Sequence, residues 1–361
     1  MIGLILPNSL RYSQYLFKYK NLLDDKNVPY EIVLWNRDGS EVPFDNAQSF
    51  DKAMNDYSSL MKKAPLLLQY ARFARTTIRK RRYDGLIVFT SPMAILLMPL
   101  LFLTYRGRYV FDYRDVSRER YGLYRSVIRH IASCSYFTAI SSPAFSDVIG
   151  RINSPYVMSH NERDMTCRAS KSESSKGDVI RAVYWGTIRQ PSFNRMICEK
   201  FGSDPRFSLV YHGSGCVDEL EEYCLQQGFE NISFTGVYDE GQIASFAQEA
   251  DLLMNCYEND SIQQFAFTVK YYDGLRYGIP SVVSAGSAMS QIMSEAQIGI
   301  SVDWSDSDCM QKLYEAYLGF DFDLFEQSRK AEIERIEADD LVFERSLDGF
   351  LTSVNSAHER C

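Results

Sequence analysis

Residues 268–284 read TVKYYDGLRYGIPSVVS, which joins a short helical pattern, a turn and an apolar strand pattern. Lys270 and Asp273 lie three positions apart, so a helix places both side chains on one face. Gly278 and Pro280 end that helix and direct the chain into the strand. A helix at the carboxyl edge of a parallel sheet is where open α/β folds bind ligands. The stretch therefore predicts a site for an anionic, hydroxyl-rich ligand, or alternatively a solvated i, i+3 ion pair at a helix start.

The rest of the chain repeats this alternation of strand and helix. Apolar strand patterns fall near residues 180–185, 207–212, 232–235, 251–256, 281–284 and 299–302, with helical patterns between them. A similar series begins with the strand pattern at residues 2–6. We therefore expect an α/β fold of two Rossmann-like, doubly wound domains that face a cleft.

The domain bounds follow from the composition. The predicted parts are a first domain at 1–165, a linker rich in serine and lysine at 166–178, a second domain at 179–320, and a helical segment at 321–361 that could pack back on the first domain. A chain of 361 residues with 45% hydrophobic residues is long and apolar enough for two such cores.

The charge divides unevenly between the halves. Residues 1–165 hold 23 Lys and Arg against 15 Asp and Glu, a net charge of +8, whereas residues 166–361 hold 16 against 32, a net charge of -16. Such asymmetry suggests an anionic partner for the first half, either a membrane surface or a nucleic acid. Nothing in the first half combines aromatic side chains with a nucleic-acid reader module, so we expect no nucleic-acid partner.

Residues 79–108 are the centre of this basic region. The cluster RKRR at 79–82 precedes a strand pattern, and the uncharged segment PMAILLMPLLFLTY at 92–105 is followed by Arg106 and Arg108. That segment is too short to cross a bilayer. It predicts either a fully buried helix between strands or a helix that enters an anionic membrane surface from the cytoplasmic side.

Cysteine and histidine usage points to the cytoplasm and away from metal. Eight cysteines occur without a C-x-x-C pair, and the four histidines have no metal-ligand spacing. We therefore expect reduced, buried thiols and no metal site. The first residues, MIGLIL, lack a positively charged region and predict a strand rather than a signal peptide. His160, in a polar segment, is expected on the surface.

Candidate site residues follow the strands of the second domain. Three predicted loops at strand ends would converge: GTIR at 186–189, HGSG at 212–215, and the helix start at Lys270 with Glu258 and Asn259 before it. A guanidinium, glycine-flanked amides, an ammonium and a carboxylate suit a nucleoside diphosphate. A dinucleotide fingerprint would need glycine at 218, where Asp218 stands, so NAD is not expected.

The first domain offers one candidate cluster at a strand end. The sequence FDYRD at 111–115 delivers Asp112, Arg114 and Asp115 to the carboxyl end of a predicted strand. Asp115 is the candidate that orients an acceptor, and a structural ion pair with an arginine is the alternative.

These motifs together resemble the GT-B glycosyltransferases, particularly the family 4 type of bacterial capsule and exopolysaccharide synthesis. The resemblance is clearest over residues 180–303. It rests on GTIR at 186–189, HGSG at 212–215, FTGVY at 234–238, ADLLMNCYENDS at 250–261, the stretch at 268–284, and IGISVD at 298–303. It extends more faintly to FDYRD at 111–115 and AISSPAFSDVI at 139–149.

The resemblance implies a retaining, metal-independent transfer of a hexose from a UDP- or GDP-linked sugar to a lipid-linked polysaccharide repeat unit. The nucleotide sugar would be a co-substrate, and no cofactor is implied. The implied site residues are Arg189 and Lys270 on the diphosphate, Gly186, Gly213 and Gly215 beside it, Asp273 on the ribose, and Glu258 as a loose substitute for a glutamate that the family often has where Phe265 stands.

Two other functions share this architecture. A nucleotide-sugar epimerase would convert the sugar nucleotide without an acceptor. A non-catalytic sugar-nucleotide or glycan-binding subunit would bind the nucleotide without turnover.

Overall fold

The computed structural model describes residues 1–39, 45–54, 60–161, 179–258 and 264–358. The chain divides into two compact units: unit 1 comprises Met1–Asn161 and Glu337–Cys361, and unit 2 comprises Glu162–Ile336. The predicted linker at 166–178 lies outside the described residues.

Unit 1 is built on one parallel sheet. Its strands are β1 (Ile2–Ile5), β2 (Tyr30–Asn36), β3 (Ala47–Asp51), β4 (Gly85–Phe89), β5 (Tyr109–Tyr113), β6 (Thr138–Ile140) and β7 (Tyr156–Met158). The order across the sheet is β3-β2-β1-β4-β5-β6-β7, and every pairing is parallel. The edge strand β3 was not predicted, because AQSFD has a single large apolar residue and no apolar run.

Five helices of unit 1 connect these strands. They are α1 (Leu16–Asp25), α2 (Leu60–Arg81), α3 (Ser91–Leu103), α4 (Gly122–Cys134) and α5 (Ala144–Ile149). The alternation of strand and helix that the sequence predicts for this half is confirmed.

Helix α3 is the uncharged segment that had two interpretations. Its buried residues include Met93, Leu97 and Leu101, whereas Leu103 at its end is 87% exposed. The buried face matches the interpretation as a helix packed between strands. No helix in the described part of the chain is both long and apolar enough to span a bilayer.

Unit 2 repeats the doubly wound pattern. Its strands are β8 (Ile180–Ile188), β9 (Phe207–Gly215), β10 (Ile232–Gly236), β11 (Leu252–Asn255), β12 (Ser281–Ser284) and β13 (Gly299–Val302). Its helices are α6 (Pro191–Gly202), α7 (Val217–Gln227), α8 (Ile243–Glu249), α9 (Val269–Tyr277), α10 (Ala288–Glu295) and α11 (Cys309–Leu318). The sheet order is β10-β9-β8-β11-β12-β13, so the strand order reverses between β8 and β11. This position is the switch point of the sheet. Ligands of such sheets bind beside the carboxyl ends of these two strands.

The last helix, α12 (Phe322–His358), is continuous over 37 residues. Phe325, Ile333 and Ile336 belong to a core cluster of unit 2 with Tyr271, whereas Phe343 and Phe350 belong to the core of unit 1. The two parts of α12 therefore complete the hydrophobic cores of different units.

The cysteines that the structure describes lie mostly inside. Cys134, Cys198, Cys224, Cys256 and Cys309 are buried and Cys216 is half-buried, all as free thiols.

Candidate functional site

Helix α9 carries the predicted cation and carboxylate next to the switch point of unit 2. Thr268 precedes the helix in an extended conformation, and its hydroxyl donates to the side-chain oxygen of Asn255 at the end of β11 (2.7 Å). Gly278 ends the helix with a φ of +65°, a left-handed conformation that favours glycine. The turn into β12 predicted from the sequence is thus confirmed.

Lys270 is nearly buried, with 7% of its surface exposed. Its Nζ donates to the hydroxyl of Tyr257 (2.8 Å) and lies 4.0 Å from the centroid of the Tyr184 ring. Among the described residues no carboxylate forms a salt bridge with Lys270, so its charge is stabilised by two phenol groups and not by a counter-charge. This burial overturns the alternative of a solvated ion pair.

Asp273 is also buried, with 2% of its surface exposed. Its Oδ2 accepts a hydrogen bond from the indole nitrogen of Trp185 at 2.8 Å. Trp185 directly precedes Gly186 in β8. The Asp273 carboxylate therefore links α9 to the end of β8, next to Gly186.

The three candidate glycines lie within strands, which corrects the prediction of two loops. β8 and β9 run side by side past Trp185 and His212, and Gly186 pairs with Gly213. The φ angles of Gly186, Gly213 and Gly215 are +120°, +146° and +119°. A Cβ on Gly213 would lie 1.8 Å from the carbonyl oxygen of Gly186. Glycine is therefore required by the close approach of the two strands themselves, whatever ligand approaches their amides.

Gly186 and Lys270 are brought together by this arrangement. A Cβ built on Gly186 would lie 3.5 Å from Lys270 Nζ. The end of β8 therefore passes directly beside the buried ammonium.

Arg189 and Glu258 follow β8 and β11, the two strands at the switch point, and both side chains are exposed. Gln190, next to Arg189, has a φ of +59° and its side-chain oxygen accepts from the backbone amide of Glu258 (3.0 Å). The segments that carry Arg189 and Glu258 are thus held together. Asn259 lies outside the described residues.

Tyr257 is the side chain that connects the predicted residues, and the sequence did not single it out. Burial raises its pKa, the Arg189 guanidinium lowers it, and the Asp273 carboxylate raises it. These effects place Tyr257 within electrostatic reach of both residues while it accepts from Lys270. Burial also raises the pKa of Tyr184 to about 12, so that ring is a neutral phenol at physiological pH.

In unit 1 the FDYRD cluster separates into a buried pair and an exposed carboxylate. Arg114 and Asp112 are 3% and 0% exposed, and Arg114 Nε lies 2.5 Å from Asp112 Oδ1. Arg114 also donates to the carbonyl oxygen of Ser159 (2.9 Å), while Tyr19 donates to Asp112 (2.6 Å). Asp115, by contrast, is exposed just after β5. The buried ion pair of this cluster is therefore the one between Arg114 and Asp112, while Asp115 lies at the surface.

The prediction of a surface position for His160 is wrong. The residue is 2% exposed, and its Nε2 lies 3.0 Å from Asp339 Oδ2 in α12. Asp339 is 179 positions away, so no local pattern indicates this burial.

Comparison with known proteins shows similarity at the level of the fold. No protein-family model and no curated protein sequence matches the chain. Among solved structures, the chain is similar to sucrose-phosphate synthase from Thermosynechococcus elongatus, with a TM-score of 0.72, 12% identity, and coverage of 98% of this chain and 99% of that one. It is also similar to HepE from Anabaena in complex with UDP-glucose, with a TM-score of 0.68, 14% identity, and coverage of 98% and 100%.

A third similar structure is the lipopolysaccharide outer core galactosyltransferase WaaB. Its TM-score is 0.63 at 12% identity, with coverage of 98% of this chain and 99% of that one. All three cover the two units of the present chain almost completely. The chain therefore has the GT-B fold of two Rossmann-like α/β units that the sequence predicted.

Proposed function

We propose that the chain is a glycosyltransferase that transfers a hexose from a UDP- or GDP-linked sugar to a lipid-linked polysaccharide repeat unit, with retention and without a metal ion. The observation that carries this proposal is the buried ammonium of Lys270, which lies beside Gly186 at the switch point with only phenol partners among the described residues. The diphosphate of a nucleotide sugar supplies the counter-charge that this position needs. The similar folds of the galactosyltransferase WaaB and of HepE in complex with UDP-glucose support the same proposal.

The proposed mechanism is electrostatic. Negative charge grows on the diphosphate as the bond from the anomeric carbon to the phosphate oxygen breaks, and Lys270 and Arg189 stabilise that charge. The departing phosphate oxygen takes the proton of the acceptor hydroxyl, so no nucleophile from the protein is needed. Asp273 binds the ribose, and Glu258 substitutes for the glutamate that the family often has where Phe265 stands. Asp115 in unit 1 orients the acceptor hydroxyl.

A panel of UDP- and GDP-sugars, incubated with and without a lipid-linked saccharide, tests the proposal. We expect release of the nucleoside diphosphate and a new glycan only when the acceptor is present. Conversion of the sugar without acceptor would identify an epimerase, and binding without turnover would identify a binding subunit. Failure to bind any nucleotide sugar would contradict the proposed site itself.

The role of Asp115 has its own control. We expect Asp115→Asn to slow transfer by about tenfold or more and to leave the Kd of the nucleotide sugar unchanged, since it acts on the acceptor. Asp25→Asn removes the same charge from an exposed position on α1 and is expected to change neither quantity.

We also propose peripheral attachment to the cytoplasmic face of an anionic membrane through residues 79–108. The support is the basic flank of that segment together with Leu103, which is 87% exposed at the end of α3. Flotation with phosphatidylglycerol vesicles tests it, and Leu103→Asp should weaken binding. Leu225→Asp is the matched control, because Leu225 in unit 2 is 81% exposed. Full recovery of the wild-type protein in the soluble fraction would contradict this attachment.

A further inference from the structure

Unit 1 contains a pocket of about 490 Å³ between the edge strand β3 and residues 69–81 of α2. This volume lies in the range of small-molecule sites. The pocket is lined by three cations, Arg72, Lys80 and Arg81, by the amides of Gln48 and Gln69, and by the ring of Phe73.

The pocket does not belong to the edge of the sheet where an α/β fold places its usual ligand. Arg81 ends α2 and β4 begins at Gly85, while Gln48 is the second residue of β3. These positions lie toward the amino ends of the parallel strands, and ligands of such sheets bind at the carboxyl ends. A ligand here would occupy a site separate from the nucleotide and acceptor sites proposed above.

The pocket carries uncompensated positive charge. From residue 60 to residue 82 the sequence contains no Asp or Glu. Arg72 and Lys80 have exposed side chains and no acidic partner among the described residues. Two cations on one wall of a pocket attract an anion. The arginine fork matches the geometry of a phosphate and the lysine adds a point charge, so this pair suits a phosphate group.

Glu31, a carboxylate that contacts two residues of the pocket lining, is already satisfied. Glu31, only 6% exposed, receives Arg81 Nη2 and Gln48 Nε2 at 2.9 Å each, as well as the hydroxyl of Tyr83. Its charge is therefore neutralised inside the wall and does not oppose an anion bound by Arg72 and Lys80.

The remaining groups suit a polyhydroxylated body. The amide nitrogen of Gln48 donates a hydrogen bond to Glu31, so the Gln48 side-chain oxygen can accept from a ligand hydroxyl. The side-chain oxygen of Gln69 accepts a hydrogen bond from Lys52 Nζ (2.7 Å), so the Gln69 amide nitrogen can donate to a ligand. Phe73 presents an apolar surface. Its ring packs against the rings of Phe50 and Tyr70, with centroid distances of 5.6 and 6.3 Å.

We propose that this pocket binds a phosphate monoester attached to a polyhydroxylated group, with the phosphate on Arg72 and Lys80. A soluble sugar phosphate and a phosphorylated lipid headgroup share this chemistry.

Calorimetric titration of the full chain with glucose-6-phosphate, glucose and inorganic phosphate tests the proposal. We expect glucose-6-phosphate to bind more tightly than either of its parts. Arg72→Gln and Lys80→Gln should each raise its Kd by about tenfold, the loss of one charge-assisted contact. Both side chains are exposed, so the variants should fold.

Arg79→Gln is the matched control, because Arg79 lies on the same helix, is exposed and is not part of the pocket lining. We expect its Kd for glucose-6-phosphate to stay within about twofold of the wild-type value. An equal loss in all three variants would show general charge attraction and overturn the proposal. Loss of glucose-6-phosphate binding in Lys270→Ala would place the ligand at the nucleotide site and would overturn it as well, as would no binding at all.

A lipid experiment distinguishes the two sources of the phosphate. The experiment uses vesicles of phosphatidylcholine with phosphatidylinositol-4-phosphate. A lipid headgroup is identified if the wild-type protein binds these vesicles, is released by glucose-6-phosphate, and no longer binds when it carries Arg72→Gln. Binding of free glucose-6-phosphate without binding of these vesicles would identify a soluble ligand. Unchanged affinity of the pocket variants for the nucleotide sugar keeps this result independent of the proposed transfer reaction.

Discussion

Both units place a cation and a carboxylate near the carboxyl ends of parallel strands, but the two environments differ. In unit 1, Arg114 and Asp112 neutralise each other inside the protein at 2.5 Å. In unit 2, Lys270 bonds to Tyr257 and Asp273 accepts from Trp185. A pair that satisfies itself maintains the scaffold, whereas a buried ammonium with neutral partners has charge left for a ligand. The difference distinguishes a structural cluster from a candidate site, although both look alike in the sequence.

The largest expected effect comes from breaking the Arg114–Asp112 pair in unit 1. Arg114→Met leaves the Asp112 charge buried without its partner, and we expect the free energy of unfolding to fall by about 3–5 kcal/mol. Urea denaturation measures this loss. The double variant with Asp112→Asn removes the remaining charge and should recover part of it. An unchanged midpoint in Arg114→Met would mean that the pair does not stabilise unit 1.

The corresponding change in unit 2 should affect binding more than stability. Lys270→Met removes a buried charge that forms no salt bridge among the described residues, so the free energy of unfolding should change by about 1 kcal/mol or less. The Kd of the nucleotide sugar should rise by about tenfold or more, because a charge-assisted bond to the diphosphate is lost.

Lys312→Met is the matched control for this variant. Lys312 lies on α11 and pairs with Asp306 at the surface, with 66% of its side chain exposed. Loss of the Lys312 charge should leave the Kd of the nucleotide sugar, measured by calorimetry, unchanged. Equal affinity of Lys270→Met and wild type would remove the main support for the site.

The glycine strands give a third comparison. Gly213→Ala places a Cβ 1.8 Å from the Gly186 carbonyl oxygen at a φ of +146°, and we expect it to destabilise unit 2. The loss should be about 2–3 kcal/mol by thermal or urea unfolding. Gly228→Ala also has a positive φ, +71°, but no atom within 4 Å of the added Cβ, and it serves as the control for backbone strain alone. Its smaller expected loss is about 1 kcal/mol. Equal losses would mean that the contact between β8 and β9 is unimportant.

The smallest expected effect concerns the hydroxyl that holds Lys270. Tyr257→Phe keeps the ring but removes the acceptor, and we expect the Kd of the nucleotide sugar to rise about threefold. Tyr223→Phe removes a hydroxyl that bonds to Glu199 on the surface (2.6 Å) and should leave the Kd unchanged. A tighter Kd in Tyr257→Phe would show that Tyr257 competes with the ligand for Lys270.

Much of the fold follows from local patterns. The strands and helices of unit 2 appear at the predicted positions because apolar periodicity and the glycine and proline signals act over a few residues. The same holds for Lys270 and Asp273, which one helix must place on one face. The edge strand β3 was missed for the same physical reason, since its short, half-buried sequence has no apolar run.

The site required information that local patterns do not contain. The sequence placed Gly186, Gly213 and Gly215 in loops, whereas the pairing of β8 with β9 extends both strands through them. Tyr184 and Tyr257 read as ordinary strand and loop residues, although they surround the Lys270 nitrogen. Such partners depend on which strands become neighbours in the sheet.

The sequence by itself determined the α/β class, the order of the elements of unit 2, and the positions of Lys270 and Asp273 on one helix, because these depend on residues close together in the chain. Only the tertiary structure decided that Arg114 is neutralised by Asp112, that Lys270 bonds to Tyr257, and that His160 is buried against Asp339. Burial and charge pairing depend on contacts between distant segments. A cation and a carboxylate can therefore form a scaffold in one unit and a candidate site in the other.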